Sequence, residues 1–279
     1  IKGEECRFVQ KCKVVCYLEI TVIDLPQNYL NHLGDKTALT TLDMYDLHNH
    51  LLPGIDDGPL KPEETLQIME ICGNQGVKEI LATPHRKDVN KNHSVEFVHK
   101  LLADMQSRAT QNGISVQLKM GMENHLDLNL PRDIGQGTAL TINSGDYILV
   151  EMPWSGRPPY IESILDEIME LGLIPIIAHP ERMDMFYEDT QLLERLVRKG
   201  MLTQITAGSI YGKLGVKIRR FTKDILVNKL CHVIASDTHM ALGTRAPDLY
   251  DGWAAAVSLI CHNEATKMVT EVPYRILYG

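Results

Sequence analysis

A regular alternation of short apolar segments and amphipathic segments constrains the fold of this chain from residue 44 onward. Each apolar segment has the length of a strand, and a turn and residues with helical periodicity follow it. The predicted strands cover residues 44–48, 78–83, 114–122, 146–151, 173–178, 201–206 and 231–236. Because strands that alternate with helices pair in parallel, the sequence predicts an α/β fold with either an open sheet or a closed barrel.

Histidines and carboxylates stand at the C-terminal ends of six of these seven strands. The positions are His48 with His50, His85, Glu123, Glu151, His179, and Asp237 with His239. In a closed barrel the C-terminal ends of the strands meet at one rim, whereas an open sheet would spread the same side chains along a line. The distribution therefore favours the barrel.

The pair His48 and His50 opens this series. Alternate residues of a strand point to the same face, so the spacing predicts that both imidazoles reach one metal ion. Turn signals follow at Pro53-Gly54 and Asp57-Gly58, and they predict that Asp57 returns over the strand end. An isolated pair of this kind can equally be two histidines in a hydrogen-bonded loop, but similar residues at the other strand ends favour the metal site.

Together with Asp57, the strand-end positions supply five histidines and four carboxylates. Since an ion takes roughly three or four protein ligands, nine ligands predict two or three ions. Imidazole and carboxylate without thiolate suit manganese, iron or zinc alike. Three arginines follow predicted ligands closely: Arg86, Arg182 and Arg245. Guanidinium groups match phosphate oxygens in pairs, so these arginines are candidate phosphate-binding residues, with surface positions as the alternative.

Composition excludes several classes of protein. The formal charge of −8 disfavours general binding to nucleic acid, which needs a basic surface. No apolar run approaches the roughly 18 residues of a membrane span, and no signal peptide is predicted, so a cytoplasmic protein without membrane insertion is expected. The six cysteines lack paired C-x-x-C spacing, and none begins a C-x5-R loop. A phosphatase with a cysteine nucleophile is therefore not predicted.

The sequence predicts two parts of the chain, residues 1–43 and residues 44–279. Residues 1–43 are predicted to be an N-terminal extension of unknown role, and residues 44–279 to form the domain that carries the candidate metal site. Lys217, Arg219, Arg220 and Lys223 form a short basic face on a predicted helix. Such a face is typical of a solvated surface, with contact to an anionic partner as the alternative.

Four motifs carry a resemblance to a known family: D-L-H-N-H-L-L-P-G-I-D-D-G-P, A-T-P-H-R, I-I-A-H-P-E-R and A-S-D-T-H. In this order they resemble the polymerase and histidinol phosphatase (PHP) superfamily. They are most similar to its CpsB/CapC/YwqE branch, the bacterial manganese-dependent tyrosine-protein phosphatases of capsule and exopolysaccharide loci. The resemblance covers roughly residues 44–270.

The resemblance implies a distorted (β/α)7 barrel that holds three divalent metal ions, with Mn²⁺ expected and iron or zinc as alternatives. The implied ligands are His48, His50, Glu123 and Asp237 for one ion, Glu123 as a bridge to a second ion with Glu151 and His179, and Asp57, His85 and His239 for the third. It likewise implies phosphate binding by Arg182 and Arg245, and less directly by Arg86.

The implied function is hydrolysis of phosphotyrosine in the tail of a membrane-associated tyrosine kinase that acts in capsular or exopolysaccharide biosynthesis. Two enzymatic alternatives stay open, namely a small-molecule phosphatase of the histidinol-phosphate type and a PHP phosphodiesterase. A binding module without catalysis is a further alternative. Lost ligands would mark such a module, and every ligand position of this chain carries a suitable residue.

Overall fold

Parallel strands in two sheets carry the site in the structure, a computed structural model that describes residues 42–279. The first sheet has the order β1-β2-β3 and the second the order β4-β5-β6-β7-β8. The strands are β1 (Met44–Asn49), β2 (Val77–Ala82), β3 (Gln117–Met120), β4 (Asn124–His125), β5 (Tyr147–Glu151), β6 (Ile174–Ala178), β7 (Leu202–Thr206) and β8 (Val233–Ala235). Every strand pair is parallel, which confirms the predicted α/β class.

Helices connect successive strands, except that β3 runs on to β4 within a few residues. They are α1 (Pro62–Asn74), α2 (Arg86–Asn92), α3 (Val95–Gln111), α4 (Leu130–Gly135), α5 (Ile161–Glu170), α6 (Asp184–Glu188), α7 (Thr190–Arg198), α8 (Ala207–Tyr211), α9 (Val216–Val227), α10 (Leu249–Val257), α11 (His262–Lys267) and α12 (Glu271–Tyr278). Local signals explain several starts: Pro62 occupies the first turn of α1, and the Ser94 side chain accepts a hydrogen bond from the Phe97 N–H at α3.

The number of strands differs from the prediction. The predicted strand 114–122 is shorter, as β3, and the separate two-residue strand β4 follows it. The chain leaves the first sheet after Met120 because β4 pairs instead with β5, where Asn124 lies opposite Val150. Within residues 42–279 the structure therefore has eight strands in two sheets, and these residues do not form a single closed sheet of seven strands.

Two short junctions join the sheets at the C-terminal ends of their strands. At one junction Asn49 forms a parallel bridge with Thr238, and the His50 N–H donates to the Thr238 carbonyl oxygen at 2.8 Å. At the other, His85 bridges Glu123, and the Arg86 N–H donates to the Glu123 carbonyl oxygen at 3.0 Å. Both junctions consist of segments that carry predicted ligands.

The core lies on both faces of the strands, as expected for parallel sheets covered by helices. A large apolar cluster fills the space between the strands and the helices. A smaller cluster combines residues from both sheets, including Leu47, Leu81 and Leu149, with Ile276 and Leu277 of α12. Strands of both sheets thus surround one shared interior. Within residues 42–279, no helix is both long and apolar enough to cross a bilayer.

Candidate metal centre

A cavity of about 340 Å³ opens at the C-terminal ends of the strands. The predicted site residues that line it are Asp57, His85, Arg86, Glu123, Glu151, His179, Arg182, Asp237 and Arg245. The three remaining predicted ligands, His48, His50 and His239, are buried and contact lining residues. The fold therefore brings side chains from across the sequence, between residues 48 and 245, to one place.

Glu123 occupies the centre of this cluster, and its side chain is 1% exposed. Its Oε1 atom lies 2.8 Å from His179 Nε2 and 3.5 Å from His48 Nε2. Its Oε2 atom lies 2.9 Å from His85 Nδ1 and 3.3 Å from His50 Nε2. One carboxylate thus contacts four imidazoles, which is a geometry suited to bridging two cations.

Asp57 organises a second part of the cluster at the mouth of the cavity. Its Oδ1 atom lies 3.1 Å from His239 Nε2 and 3.5 Å from His85 Nε2. Three groups have all their ligand atoms within 4.8 Å of one another: His50 with Asp57, His85 and His239; His48 with His50 and Glu123; and His85 with Glu123 and Glu151. Because the groups share members, they form one continuous set of donors.

Asp237, two residues after β8, and Glu151, the last residue of β5, complete the set. The Oδ1 atom of Asp237 lies 3.5 Å from His48 Nε2, and the Oε1 atom of Glu151 lies 3.8 Å from His179 Nε2. Both Asp237 and His179 have positive φ angles, 54° and 32°. Residues other than glycine rarely adopt such a conformation, which costs on the order of 1–3 kcal/mol. Strain of this kind clusters at functional sites, and here it lies at two strand ends that carry predicted ligands.

Hydrogen bonds orient three of the histidines from behind. The Nδ1 atom of His48 lies 2.8 Å from Gln204 Oε1, and that of His50 lies 2.7 Å from Asp56 Oδ2. The Nδ1 atom of His239 lies 2.9 Å from a backbone carbonyl oxygen. Histidines that bind metals usually donate their second N–H to such an acceptor, which fixes the ring and frees the inward nitrogen. The donor set and its support therefore fit divalent cations.

Neighbouring imidazoles lower the pKa values of Glu123, Asp57 and Asp237 and keep these carboxylates ionised. Burial alone would raise the pKa of Glu123, but His48 and His179 hold it well below its usual range. Burial disfavours the charged form of His50, yet Asp56 and Glu123 outweigh this effect and raise its pKa to about 10. The same balance, with Asp57 and Glu123, raises the pKa of His85 to about 11. The cluster thus requires positive charge, which protons or divalent ions can supply.

Two of the three candidate arginines face the cluster. Arg182 Nη1 lies 2.5 Å from Asp237 Oδ2, and Arg245 Nη1 lies 2.7 Å from Asp57 Oδ2. Both side chains are partly exposed and line the cavity. Each guanidinium is therefore fixed by a predicted metal ligand while it remains accessible to an anion in the cavity.

Arg86 has different surroundings, although it also lines the cavity. It is buried, and its guanidinium donates to Asp133, to Asp127 Oδ2 at 2.8 Å and to the His125 carbonyl oxygen at 3.0 Å. These contacts fix the segment after β4, and burial leaves the guanidinium almost no surface to offer to an anion. Phosphate binding by Arg86 stays a prediction, and the structure gives it less support than Arg182 and Arg245 receive.

Sequence reasoning did not identify three residues that shape this site. Asp56 and Gln204 orient histidines, as described above, and Trp154 forms part of the cavity wall. The Trp154 ring stacks on His179 with centroids 5.6 Å apart, and the Arg182 guanidinium lies 4.7 Å from the ring centre. Trp154 is nevertheless 47% exposed. An exposed indole at the entrance offers an apolar surface to a ligand.

The cysteines of the described residues lie away from this cavity. Cys72 and Cys231 are buried and Cys261 is partly buried. Burial raises the pKa of the Cys72 and Cys231 thiols, which disfavours the thiolate form needed of a nucleophile. The three cysteines nearer the N-terminus lie outside the described residues.

Comparisons with known proteins agree on one family. The profile described as "Capsular polysaccharide synthesis, CpsB/CapC" matches residues 44–278. The CapC protein of Staphylococcus aureus is 33% identical over 70% of this chain and 77% of its own length. The tyrosine-protein phosphatase YwqE of Bacillus subtilis is 32% identical over the same shares.

Solved structures give a consistent result. A chain from the crystal structures of YwqE from Bacillus subtilis and CpsB from Streptococcus pneumoniae, described as unique metal-dependent tyrosine phosphatases, superposes with a TM-score of 0.77. The two chains are 30% identical, and the match covers 84% of this chain and 94% of the other. A histidinol phosphate phosphatase from Lactococcus lactis shares the fold, with a TM-score of 0.53 and 17% identity over 81% of this chain and 94% of the other. On the extent of these matches, the chain belongs to the CpsB/CapC family.

Proposed function

We propose that this protein is a metal-dependent protein-tyrosine phosphatase that acts in capsular or exopolysaccharide biosynthesis. One observation carries the proposal: a single cavity combines a carboxylate in contact with four imidazoles, Glu123, with two accessible arginines, Arg182 and Arg245. Such a site can hold cations and a phosphate side by side. Relatives with this fold are named tyrosine-protein phosphatases, which supports phosphotyrosine as the substrate.

We propose three divalent ions in this centre, with Mn²⁺ as the expected metal and iron or zinc as alternatives. The proposed ligand sets are His48, His50, Glu123 and Asp237; Glu123, Glu151 and His179; and Asp57, His85 and His239. The short distances among these donors support the sets. When bound, divalent ions lower the pKa of water toward 7 and offset the charge of phosphate.

The protein's own residues position the substrate. Arg182 and Arg245 bind the phosphate oxygens, because a guanidinium offers two parallel donors to an anion. Asp237 and Asp57 hold these arginines in place. The Trp154 ring supports the phenyl ring of the substrate, since aromatic rings pack favourably against one another. A phenolate with a pKa near 10 leaves with less protonation than an alkoxide, so the site needs no strong general acid.

We propose that the two sheets are parts of one distorted barrel. The bridges Asn49–Thr238 and His85–Glu123, together with the shared interior cluster, support this arrangement. In a barrel the C-terminal ends of all strands contribute to one active site. Here, too, side chains from the strand ends of both sheets contribute to one cavity.

The proposed macromolecular substrate is the phosphotyrosine-bearing tail of a membrane-associated tyrosine kinase. The family's description, capsular polysaccharide synthesis, supports this biological setting. The cytoplasmic location expected from the sequence stays a prediction, as does the division into an extension and a domain. Histidinol phosphate is the second candidate substrate, but the likeness to its phosphatase concerns the fold alone.

A substrate comparison tests the proposal. With added Mn²⁺, we expect hydrolysis of a phosphotyrosine peptide and of p-nitrophenyl phosphate, and much slower hydrolysis of histidinol phosphate. A chelator should abolish turnover, and Mn²⁺ should restore it, which release of inorganic phosphate measures. Preference for histidinol phosphate would mean that the protein is a small-molecule phosphatase and not a tyrosine phosphatase. Absence of all turnover while metal is bound would contradict catalysis and favour a binding role.

Metal binding should also stabilise the fold. At an ion concentration about a hundred times the dissociation constant, binding contributes about 2.7 kcal/mol. For a chain of this size we expect a rise of roughly 5–10 °C in the melting temperature. Differential scanning calorimetry of chelator-treated protein, before and after adding Mn²⁺, measures this shift. Identical melting temperatures in both states would contradict a metal centre among these residues.

A further inference from the structure

Four exposed basic side chains on α9 have no carboxylate partner among residues 42–279. They are Lys217, Arg219, Arg220 and Lys223, called the basic surface below. Almost every other lysine and arginine of the described range forms an ion pair, and only Lys61 and Lys91 share this lack of a partner. Unpaired positive charge is thus concentrated on one helix.

The stability of α9 does not explain these charges. Lys217 and Arg219 lie near its N-terminus, and its first turn contains no acidic residue. The N-terminus of a helix carries partial positive charge, so acidic residues stabilise it and basic residues oppose it. The helix buries its other face through Phe221, Ile225 and Leu226. The helix dipole therefore disfavours Lys217 and Arg219, so the stability of α9 does not account for their charge.

An aromatic contact connects the basic surface with the phosphate-binding part of the centre. Lys217 Nζ lies 4.2 Å above the ring of Tyr187, and the Phe221 ring lies 4.5 Å from the same ring. The Tyr187 hydroxyl donates to the backbone carbonyl oxygen of Glu181 at 2.5 Å. Glu181 directly precedes Arg182. Tyr187 therefore lies between Lys217 of the basic surface and the segment that carries Arg182.

A side chamber provides a second connection. This cavity of about 180 Å³ has Arg182 and Arg245 in its wall, as the metal centre does, together with Lys213 and Thr206. Thr206 is 5% exposed, and its hydroxyl has no hydrogen-bond partner in the described part of the chain. The chamber also contains Asp237 and Asp248, which pair with Arg182 and Lys213. A polar group of a ligand can therefore enter beside the centre.

Arg219 joins the chamber to the basic surface. Its Cδ atom would lie 3.1 Å from a Cβ atom added at Gly212, so the Arg219 stem crosses this glycine. Lys213 follows Gly212 directly and lines the chamber. Positive side chains thus continue from Arg182 and Arg245 through Lys213 to the surface of α9.

We propose that these positive side chains bind acidic residues that flank the phosphotyrosine of a polypeptide substrate. The side chains from Arg182 and Arg245 through Lys213 to the basic surface are called the path below. The inference rests on the proposed function and specifies its substrate as an acidic peptide. Charge supports this occupant, because a protein with a formal charge of −8 repels anionic ligands except where positive charge is concentrated. The path extends beyond the reach of a small phosphomonoester, so it is useful only to a longer substrate. Val216, which is 85% exposed, adds an apolar contact at the start of α9.

The test compares three substrates with the full chain loaded with Mn²⁺. They are a phosphotyrosine peptide flanked by glutamates, its counterpart flanked by glutamines, and p-nitrophenyl phosphate. The variant replaces the four residues of the basic surface by glutamine. We expect kcat/KM for the glutamate peptide to fall about tenfold through KM, since several exposed ion pairs are lost. For p-nitrophenyl phosphate we expect a change below about twofold, because the metal centre is untouched.

A matched control removes charge elsewhere. Lys61→Gln with Lys91→Gln also removes unpaired positive charge, and it should leave discrimination between the two peptides intact. If the fourfold variant does not fold, Arg220→Gln with Lys223→Gln should still reduce kcat/KM for the glutamate peptide about threefold. Unchanged kcat/KM, an equal loss for all three substrates, or the same loss in the control variant would overturn the proposal.

Binding measurements separate this inference from the proposed function. If the wild-type protein hydrolyses none of the substrates, the proposed function fails, and fluorescence anisotropy of the labelled glutamate peptide still tests the path. Weaker binding by the variant supports it, and equal binding overturns it. Vesicles of phosphatidylglycerol provide the other arm. If the variant loses vesicle binding but binds the peptide as before, the surface contacts membranes, and the peptide proposal is wrong.

Discussion

Replacing Glu123 by glutamine is expected to reduce kcat/KM for phosphotyrosine substrates by about a thousandfold or more. Loss of one preorganised electrostatic group typically reduces turnover by about 10²–10³, and Glu123 contacts four imidazoles and is the proposed bridge between two ions. Glutamine keeps the size of the side chain but removes the charge that holds the cations. Elemental analysis should therefore show fewer bound ions per chain, together with the loss of turnover.

Two further variants are compared with Glu123→Gln, one expected to lose turnover and one expected to keep it. His179→Ala should also abolish turnover while circular dichroism remains that of the wild type, because it removes a proposed ligand at the cavity wall. Cys231→Ser should leave turnover within about twofold of the wild type, since the buried thiol has no catalytic part. A Glu123→Gln protein that keeps its full metal content and activity within tenfold of the wild type would refute the bridging role.

Replacing Arg182 by lysine is expected to reduce kcat/KM about a hundredfold. Lysine keeps the positive charge but lacks the planar pair of donors that matches two phosphate oxygens. It would also lose the stacking of the guanidinium on Trp154. Inhibition by inorganic phosphate should weaken in parallel, because the same donors bind the product. Steady-state kinetics with phosphate as a competitive inhibitor measures both effects.

The matched control for this substitution is Arg157→Lys. Arg157 is exposed, and its guanidinium donates to Asp189 and Glu162 rather than to a residue of the centre. We expect its kcat/KM to stay within about twofold of the wild type. If Arg182→Lys also changed kcat/KM by less than threefold, phosphate binding by Arg182 would have to be abandoned.

Much of the fold was predictable because the relevant signals are local. Strand length, helix periodicity and the placement of histidines and carboxylates at strand ends can all be read from short windows of sequence. These signals predicted the parallel α/β class and the strand ends from which the cavity is built. They did not predict β4, since two residues carry no periodicity and its pairing depends on β5, which lies some twenty residues further along the chain.

The details of the site depend on contacts between distant segments. Asp56 and Asp57 are adjacent and chemically identical, but the turn directs one toward His50 and the other toward His239. The partners of Arg86, Asp127 and Asp133, follow it by 41 and 47 residues. No local pattern distinguishes a buried structural arginine from one that binds phosphate. Such distinctions require the packed structure.

At the junctions between the two sheets, the main chain and the side chains have different roles. At His50–Thr238 and at Arg86–Glu123, backbone N–H and carbonyl groups make the connection, while the histidine and carboxylate side chains of these segments belong to the cluster of predicted metal ligands. Any L-amino acid except proline can supply those backbone N–H and carbonyl groups. Replacing one metal-ligating side chain by another would therefore change which ion is bound without breaking the junction between the sheets. A new metal preference, and with it a new reaction, could arise on this fold through side-chain replacement alone.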